Sequence, residues 1–113
     1  MSRLVPRFRR EGPTMLMVRE VMHCRPGKVN ELVGKFQALG GVMEDMGLSP
    51  FRLYTDLAAE QFWTMVAERD YESVDEMVSI EARVMGDQRA QAAMQGYHEL
   101  VTEGRREIYR VVE

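Results

Sequence analysis

The sequence predicts an α+β domain whose elements follow in the order βαββαβ, a four-stranded antiparallel sheet with its helices on one face. Three observations carry this. An amphipathic helix with legible start and stop signals fills Gly27 to Gly47, strand-like stretches on either side of it are apolar on both faces, and Ser73-Val74-Asp75-Glu76 forms a capping box that opens a second helical region.

From Thr14 to Cys24 one strand face carries Met15, Met17, Arg19, Val21 and His23, and the other carries Leu16, Val18, Glu20, Met22 and Cys24. In the following helix Val29, Leu32, Val33, Phe36, Leu39, Met43 and Met46 recur at spacings of three and four, with charged and polar residues opposite them. Gly47 suits the left-handed closing position, Leu48 can fold back onto the last apolar turn, and Pro50 prevents resumption. Gly40 falls on the apolar stripe, where the missing side chain is expected to let a strand approach. Phe51 to Leu57 reads as the second strand, Asp56 to Gln61 as a polar turn, and Phe62 to Arg69 as the third strand of a hairpin. After the capping box, Val74, Met77, Ile80, Val84 and Met85 make an apolar side that stops at Gly86, where Asp87 supplies a new N-cap. Ala90, Ala93, Met94, Tyr97 and Val101 predict a further helical stripe ended by Gly104, and Arg106 to Val112 reads as the last strand.

Strands apolar on both faces need cover on both faces. The connections put the helices on one side, so a second subunit is expected on the other: a homodimer joined through its sheet faces.

Composition bounds the function. At 113 residues the chain forms one domain, and 45% apolar with 29% charged residues excludes disorder. No apolar run approaches the roughly 18 residues of a membrane span, so no membrane association is expected. One cysteine allows no internal disulfide and no secretory signal is evident, which makes a cytoplasmic location the expectation. Residues 1–13 form a basic arm, expected to be flexible: Arg3, Arg7, Arg9 and Arg10 against Glu11 give +3 and leave −6 on the body, residues 14–113. Leu4-Val5-Pro6-Arg7 within it resembles a protease-cleavage linker. Four arginines without interleaved aromatics do not make a nucleic-acid module, and none is expected as a partner. Gly40-Gly41 lies within a helix and follows no strand, so there is no phosphate loop; no His or Cys-His spacing supports a metal site.

Together, the strand running into Arg25-Pro26-Gly27-Lys28 and the long helix, the hairpin, Asp70-Tyr71-Glu72-Ser73 and the closing Gly104-Arg105-Arg106-Glu107-Ile108-Tyr109 resemble the dimeric α/β-barrel superfamily. This ferredoxin-like group contains the NIPSNAP and antibiotic biosynthesis monooxygenase families; the resemblance covers Met15 to Val112, and its NIPSNAP-like form fits best. It implies two sheets facing each other across a dimer, with a lumen that in some relatives binds a polycyclic or aromatic compound. In haem-degrading relatives an Asn on the first strand acts with a Trp and a His on the second helix. Here Glu20 stands at the Asn position and Ile80 near the Trp position, so no haem or other cofactor is expected.

Two functions follow as expectations. The first is binding, or cofactor-independent oxidation, of a small aromatic or apolar compound in the lumen, with Glu20 as the catalytic proton acceptor and Tyr54, Trp63, His98 and Arg110 as ligand-binding residues. In that reading Glu20 and Trp63 share one cavity. The alternative is a non-catalytic structural or protein-interaction module with a packed interior, in which Glu20, with Arg19, Glu68, Arg69 and Arg110, belongs to a cross-strand ion network.

Overall fold

In the computed structural model, which describes residues 15–112, the first strand β1 (Leu16–Cys24) runs through the middle of a four-stranded antiparallel sheet. The expected arm, residues 1–13, lies outside the described residues. Strand β3 (Thr64–Tyr71) pairs with β1 on one side and β4 (Val101–Arg110) on the other, while β2 (Arg52–Thr55) adds to the outer edge of β3. This gives the order β2-β3-β1-β4 expected of a βαββαβ chain.

Helix α1 (Val29–Asp45) buries Val29, Leu32, Phe36, Leu39 and Met43, the stripe read from the spacing. These residues meet Met22, Cys24, Met65 and Ala67 of the sheet in one core. Leu32 and Met43 are fully buried, each contributing about 1.5–3 kcal/mol. The helix stops as its sequence dictates: Gly47 adopts φ 80°, the Leu48 amide donates to the Met43 carbonyl (2.9 Å), and Leu48 packs back onto the core. Phe51 then meets Phe36 edge to face, 6.1 Å between ring centroids. At Gly40 the close neighbour is Pro50, not a strand: a Cβ there would lie 3.1 Å from the Pro50 Cβ.

Helix α2 (Val74–Met85) begins at Ser73, whose hydroxyl accepts from the Glu76 amide (3.0 Å). The return bond of the box reaches one residue further than expected, the Glu76 carboxylate accepting from the Glu72 amide (2.7 Å). Asp87 caps the short helix α3 (Gln88–Ala93) as anticipated, its carboxylate accepting from the Arg89 amide (2.8 Å).

Several boundaries differ from the sequence reading: the second strand spans Arg52–Thr55 within the expected Phe51 to Leu57, and the last runs Val101–Arg110 against the expected Arg106 to Val112. The stripe Ala90 to Val101 is not one helix: α3 ends at Ala93, Gly96 turns left-handed (φ 83°), a 3-10 turn occupies Tyr97–Glu99, and β4 begins at Val101. Spacings of three and four reported burial against the core there, not helical continuity. Gly104 therefore lies inside β4, where a Cβ would come within 3.3 Å of the Val21 carbonyl oxygen, and it serves close strand approach. The third strand starts at Thr64 because Trp63 adopts φ 60°, a left-handed conformation costly for a bulky residue. Hydrogen bonds on both sides hold it, from the Cys24 amide to the Trp63 carbonyl and from the Thr64 amide to the Asp56 carboxylate, each 2.8 Å.

Alternation sorts the sheet residues between two sides. Leu16, Val18, Glu20, Met22 and Cys24 face the helices; Met17, Arg19, Val21 and His23 face away, beside Val66 and Glu68 of β3 and Arg105, Glu107 and Tyr109 of β4. The side away from the helices is less apolar than β1 alone suggests. Arg19 pairs with Glu68 (2.8 Å), Arg52 with Glu68 and Asp70 (3.7 and 3.2 Å), and Arg105 with Glu107 (2.6 Å).

Candidate functional site

A cavity of about 440 Å³ lies between the sheet and the helical layer. It is a half-open cleft of the single chain, on the opposite side of the sheet from the lumen implied by the family resemblance. Its walls are apolar where α1 contributes Phe36, Leu39 and Met43 and where α2 contributes Ile80, Val84 and Met85. Met22, Met43, Met85 and Met94 give it unbranched thioether side chains that can adjust to a guest.

One end is polar. Glu20 of β1 stands opposite Arg106 of β4 in the register, so both project toward the helices, and Glu81 descends from α2 onto the same guanidinium. Arg106 donates through Nε to Glu20 Oε2 (2.7 Å) and through Nη1 to Glu81 Oε1 (3.1 Å), while Nη2 lies 2.5 Å from Glu20 Oε2 and 2.8 Å from Glu81 Oε2. The bond to Glu81, and next that to Glu20, raise the Arg106 pKa above its ordinary value against the opposing effect of burial. Two carboxylates thus share one cation, a net charge of −1. Among the described residues Glu20 Oε1 has no partner, leaving one acceptor for a guest that brings a proton. Tyr71 adds a buried phenol, its pKa raised first by burial and also by the Glu81 carboxylate, with the Arg69 guanidinium offsetting part of that effect.

The residues proposed from sequence fall in separate places. Glu20 lines the cavity, and it also lines an adjoining surface hollow of about 350 Å³ together with His98, whose ring packs on Tyr97 at 4.0 Å between centroids. These two are brought together. The expectation that Glu20 and Trp63 share one cavity is not met: Trp63 lines a different hollow beside Val29 and Phe62, because its left-handed backbone removes it from the strand alternation. Tyr54 points to the side of the sheet away from the helices, and Arg110 sits opposite Leu16 at the end of β4, lining none of these hollows. The anticipated ion network is likewise divided by face. Arg19 holds Glu68 on one side and Arg106 holds Glu20 on the other, whereas Arg69, buried, donates to the backbone carbonyls of Ser49 (2.8 Å) and Asp70 (3.3 Å).

Sequence reasoning missed Arg106, Glu81 and Tyr71. For Glu81 a signal was present: it stands four residues after Met77 and three before Val84, a charge at a core-facing position of α2. Arg106 could be found only with the strand register, since Glu20 meets it across 86 positions of chain.

With this geometry established, the chain can be set beside known proteins. No protein-family model matches it, nor does any curated protein sequence. Solved structures do match. A NIPSNAP family protein from Agrobacterium tumefaciens superposes with a TM-score of 0.76 at 16% identity, covering 94% of this chain and 93% of that one. A second NIPSNAP family protein from the same organism, of unknown function, gives 0.73 at 14% identity over 87% and 88%. A candidate antibiotic biosynthesis monooxygenase from Chloroflexus aurantiacus gives 0.67 at 13% identity over 88% and 95%. The ferredoxin-like α+β fold of this chain is therefore the fold of NIPSNAP and antibiotic biosynthesis monooxygenase proteins.

Proposed function

We propose that the chain binds a small, largely apolar molecule carrying a hydroxyl group in the cavity between sheet and helices, with the hydroxyl donated to Glu20 Oε1. The observation that supports this is an apolar space of about 440 Å³ ending at a carboxylate with a free acceptor. Its size lies within the range of small-molecule sites. Arg106, itself bound by Glu81, holds the Glu20 carboxylate in place, so a guest meets an acceptor already oriented. If the guest is a phenol or quinol that reacts with oxygen, as the resemblance to cofactor-independent monooxygenases suggests, Glu20 is the residue positioned to take its proton, and no cofactor enters. The cavity favours this reading over a filled structural module.

The test is binding followed by turnover. Naphthols and quinols should raise the melting temperature of the wild-type protein, and Glu20→Gln, which turns part of the carboxylate into a donor, should weaken binding about tenfold, the equivalent of one charge-assisted hydrogen bond. Oxygen uptake with quinols and anthrones, compared between wild type and Glu20→Gln, then separates binding from oxidation. No thermal shift with any of these compounds would overturn the binding reading; binding without oxygen uptake would remove the oxidation step alone.

A further inference from the structure

The side of the sheet away from the helices holds a second polar arrangement that the cavity does not use. His23 stands on that side yet is only 6% exposed, and Thr64, opposite it in the register, is 5% exposed. Its Nδ1 lies 3.0 Å from the Thr64 hydroxyl oxygen, which in turn lies 2.8 Å from the Gln61 carbonyl oxygen. A carbonyl can only accept, so the Thr64 hydroxyl proton goes to Gln61. Toward His23 the same oxygen must then accept, and Nδ1 carries the ring proton. In the neutral imidazole Nε2 is left as a bare lone pair. Among the described residues it has no partner, so it can accept from a molecule in the hollow that the ring lines.

The ring lines a hollow of about 300 Å³ whose apolar surfaces are Val21, Val66 and Ala59, with Tyr54 at its side. The charged groups around it largely neutralise one another: Arg19 is bound to Glu68, Arg105 to Glu107, and Glu60 faces Arg105 electrostatically. Among the described residues the hollow offers an anion no unpaired cation, and no group of three metal-ligating side chains gathers. Among the described residues no donor is bound to His23 Nε2, although the ring lines this hollow.

We propose that the hollow over His23 is a second binding site, for a small alcohol or phenol whose hydroxyl is donated to His23 Nε2 while its apolar part rests on Val21 and Val66. The site lies on the other face from the Glu20 cavity and does not rest on the function proposed there. The proton is placed on Nδ1 by contacts within one chain.

Nitrogen NMR of the protein labelled with ¹⁵N-histidine tests this directly, with His98→Gln identifying the His23 signals. At pH 7.5 the ring should show the Nδ1–H tautomer. Phenol should move the Nε2 resonance in a saturable way, whereas anisole, nearly the same shape with no proton to donate, should leave it in place. Thr64→Val removes the acceptor for Nδ1–H and should weaken phenol about tenfold; should that variant fail to fold, the wild-type tautomer and the phenol–anisole contrast still decide. An Nε2–H tautomer, no phenol response, or an equal response to anisole would overturn the proposal. So would loss of the His23 response in Glu20→Gln, which would trace it to the other cavity.

Discussion

At the scale of single residues the decisive group is Arg106. Among the described residues it is the one cation bound to both Glu20 and Glu81, so Arg106→Met leaves two carboxylates facing each other. The three side chains keep 22–41% of their surface in water, which places the expected loss below the range for fully buried pairs, at about 1–3 kcal/mol. Urea titrations of Arg106→Met and of the triple variant Glu20→Gln, Glu81→Gln, Arg106→Met check it. The triple variant should recover part of the loss, since no uncompensated charge remains. Tyr71 supplies a pH dependence. Burial raises its folded pKa above the value near 10 of an unfolded tyrosine, so the folded chain binds the proton more tightly. That stability is fully present below pH 10 and is lost as pH rises through the folded pKa. Thermal melts between pH 9 and 11 should fall more steeply for wild type than for Tyr71→Phe.

At the scale of elements, helix α1 offers an internal comparison, because Gly34, Gly40 and Gly41 all lie within it. A Cβ at Gly34 or Gly41 meets nothing within 4 Å, so Gly34→Ala and Gly41→Ala should each stabilise the protein by about 0.5–1 kcal/mol through helix propensity. At Gly40 the added carbon lies 3.1 Å from the stiff ring of Pro50, and Gly40→Ala should gain nothing or lose stability. Denaturant midpoints of the three variants test this ordering; equal gains at all three sites would show that the Pro50 loop gives way freely. The same helix shows how far local signals reach: its apolar stripe, its Gly47 stop and the Ser73 and Asp87 caps are all written in the residues that form them. The α3–β4 connection is not, since the apolar spacing runs through Gly96 and points to Gly104 as the stop. Only the backbone tells that one turns left-handed while the other lies flat in a strand against Val21.

At the scale of the whole molecule, the sheet is covered by helices on one side, and the other presents Val66, Tyr54 and Tyr109 among ion pairs, with Val21 buried beneath them. A homodimer through this face is the assembly we propose. Light scattering at micromolar concentration should give twice the chain mass of 13.1 kDa. Because Arg19, Glu68 and Glu107 already pair within one chain, a second copy can cover them without stranding charge. Val66→Asp, which places a carboxylate between apolar neighbours of that face, should yield a monomer with unchanged far-ultraviolet dichroism. A wild-type protein of single chain mass would refute the assembly.

Features that depend on neighbours along the chain are legible in its residues: the βαββαβ order, the buried stripe of α1, the helix caps and stops, and the assignment of Glu20 and Met22 to one face of β1. The tertiary structure alone decided which charges meet. A strand residue's partner is set by register, and no local pattern in β1 announces that Glu20 will find Arg106 and Glu81 rather than Arg69 or Arg110. It also decided where the space lies. Trp63 leaves the strand pattern through one left-handed backbone angle, and a cavity is the gap between elements distant in sequence, so both depend on how the helices settle on the sheet.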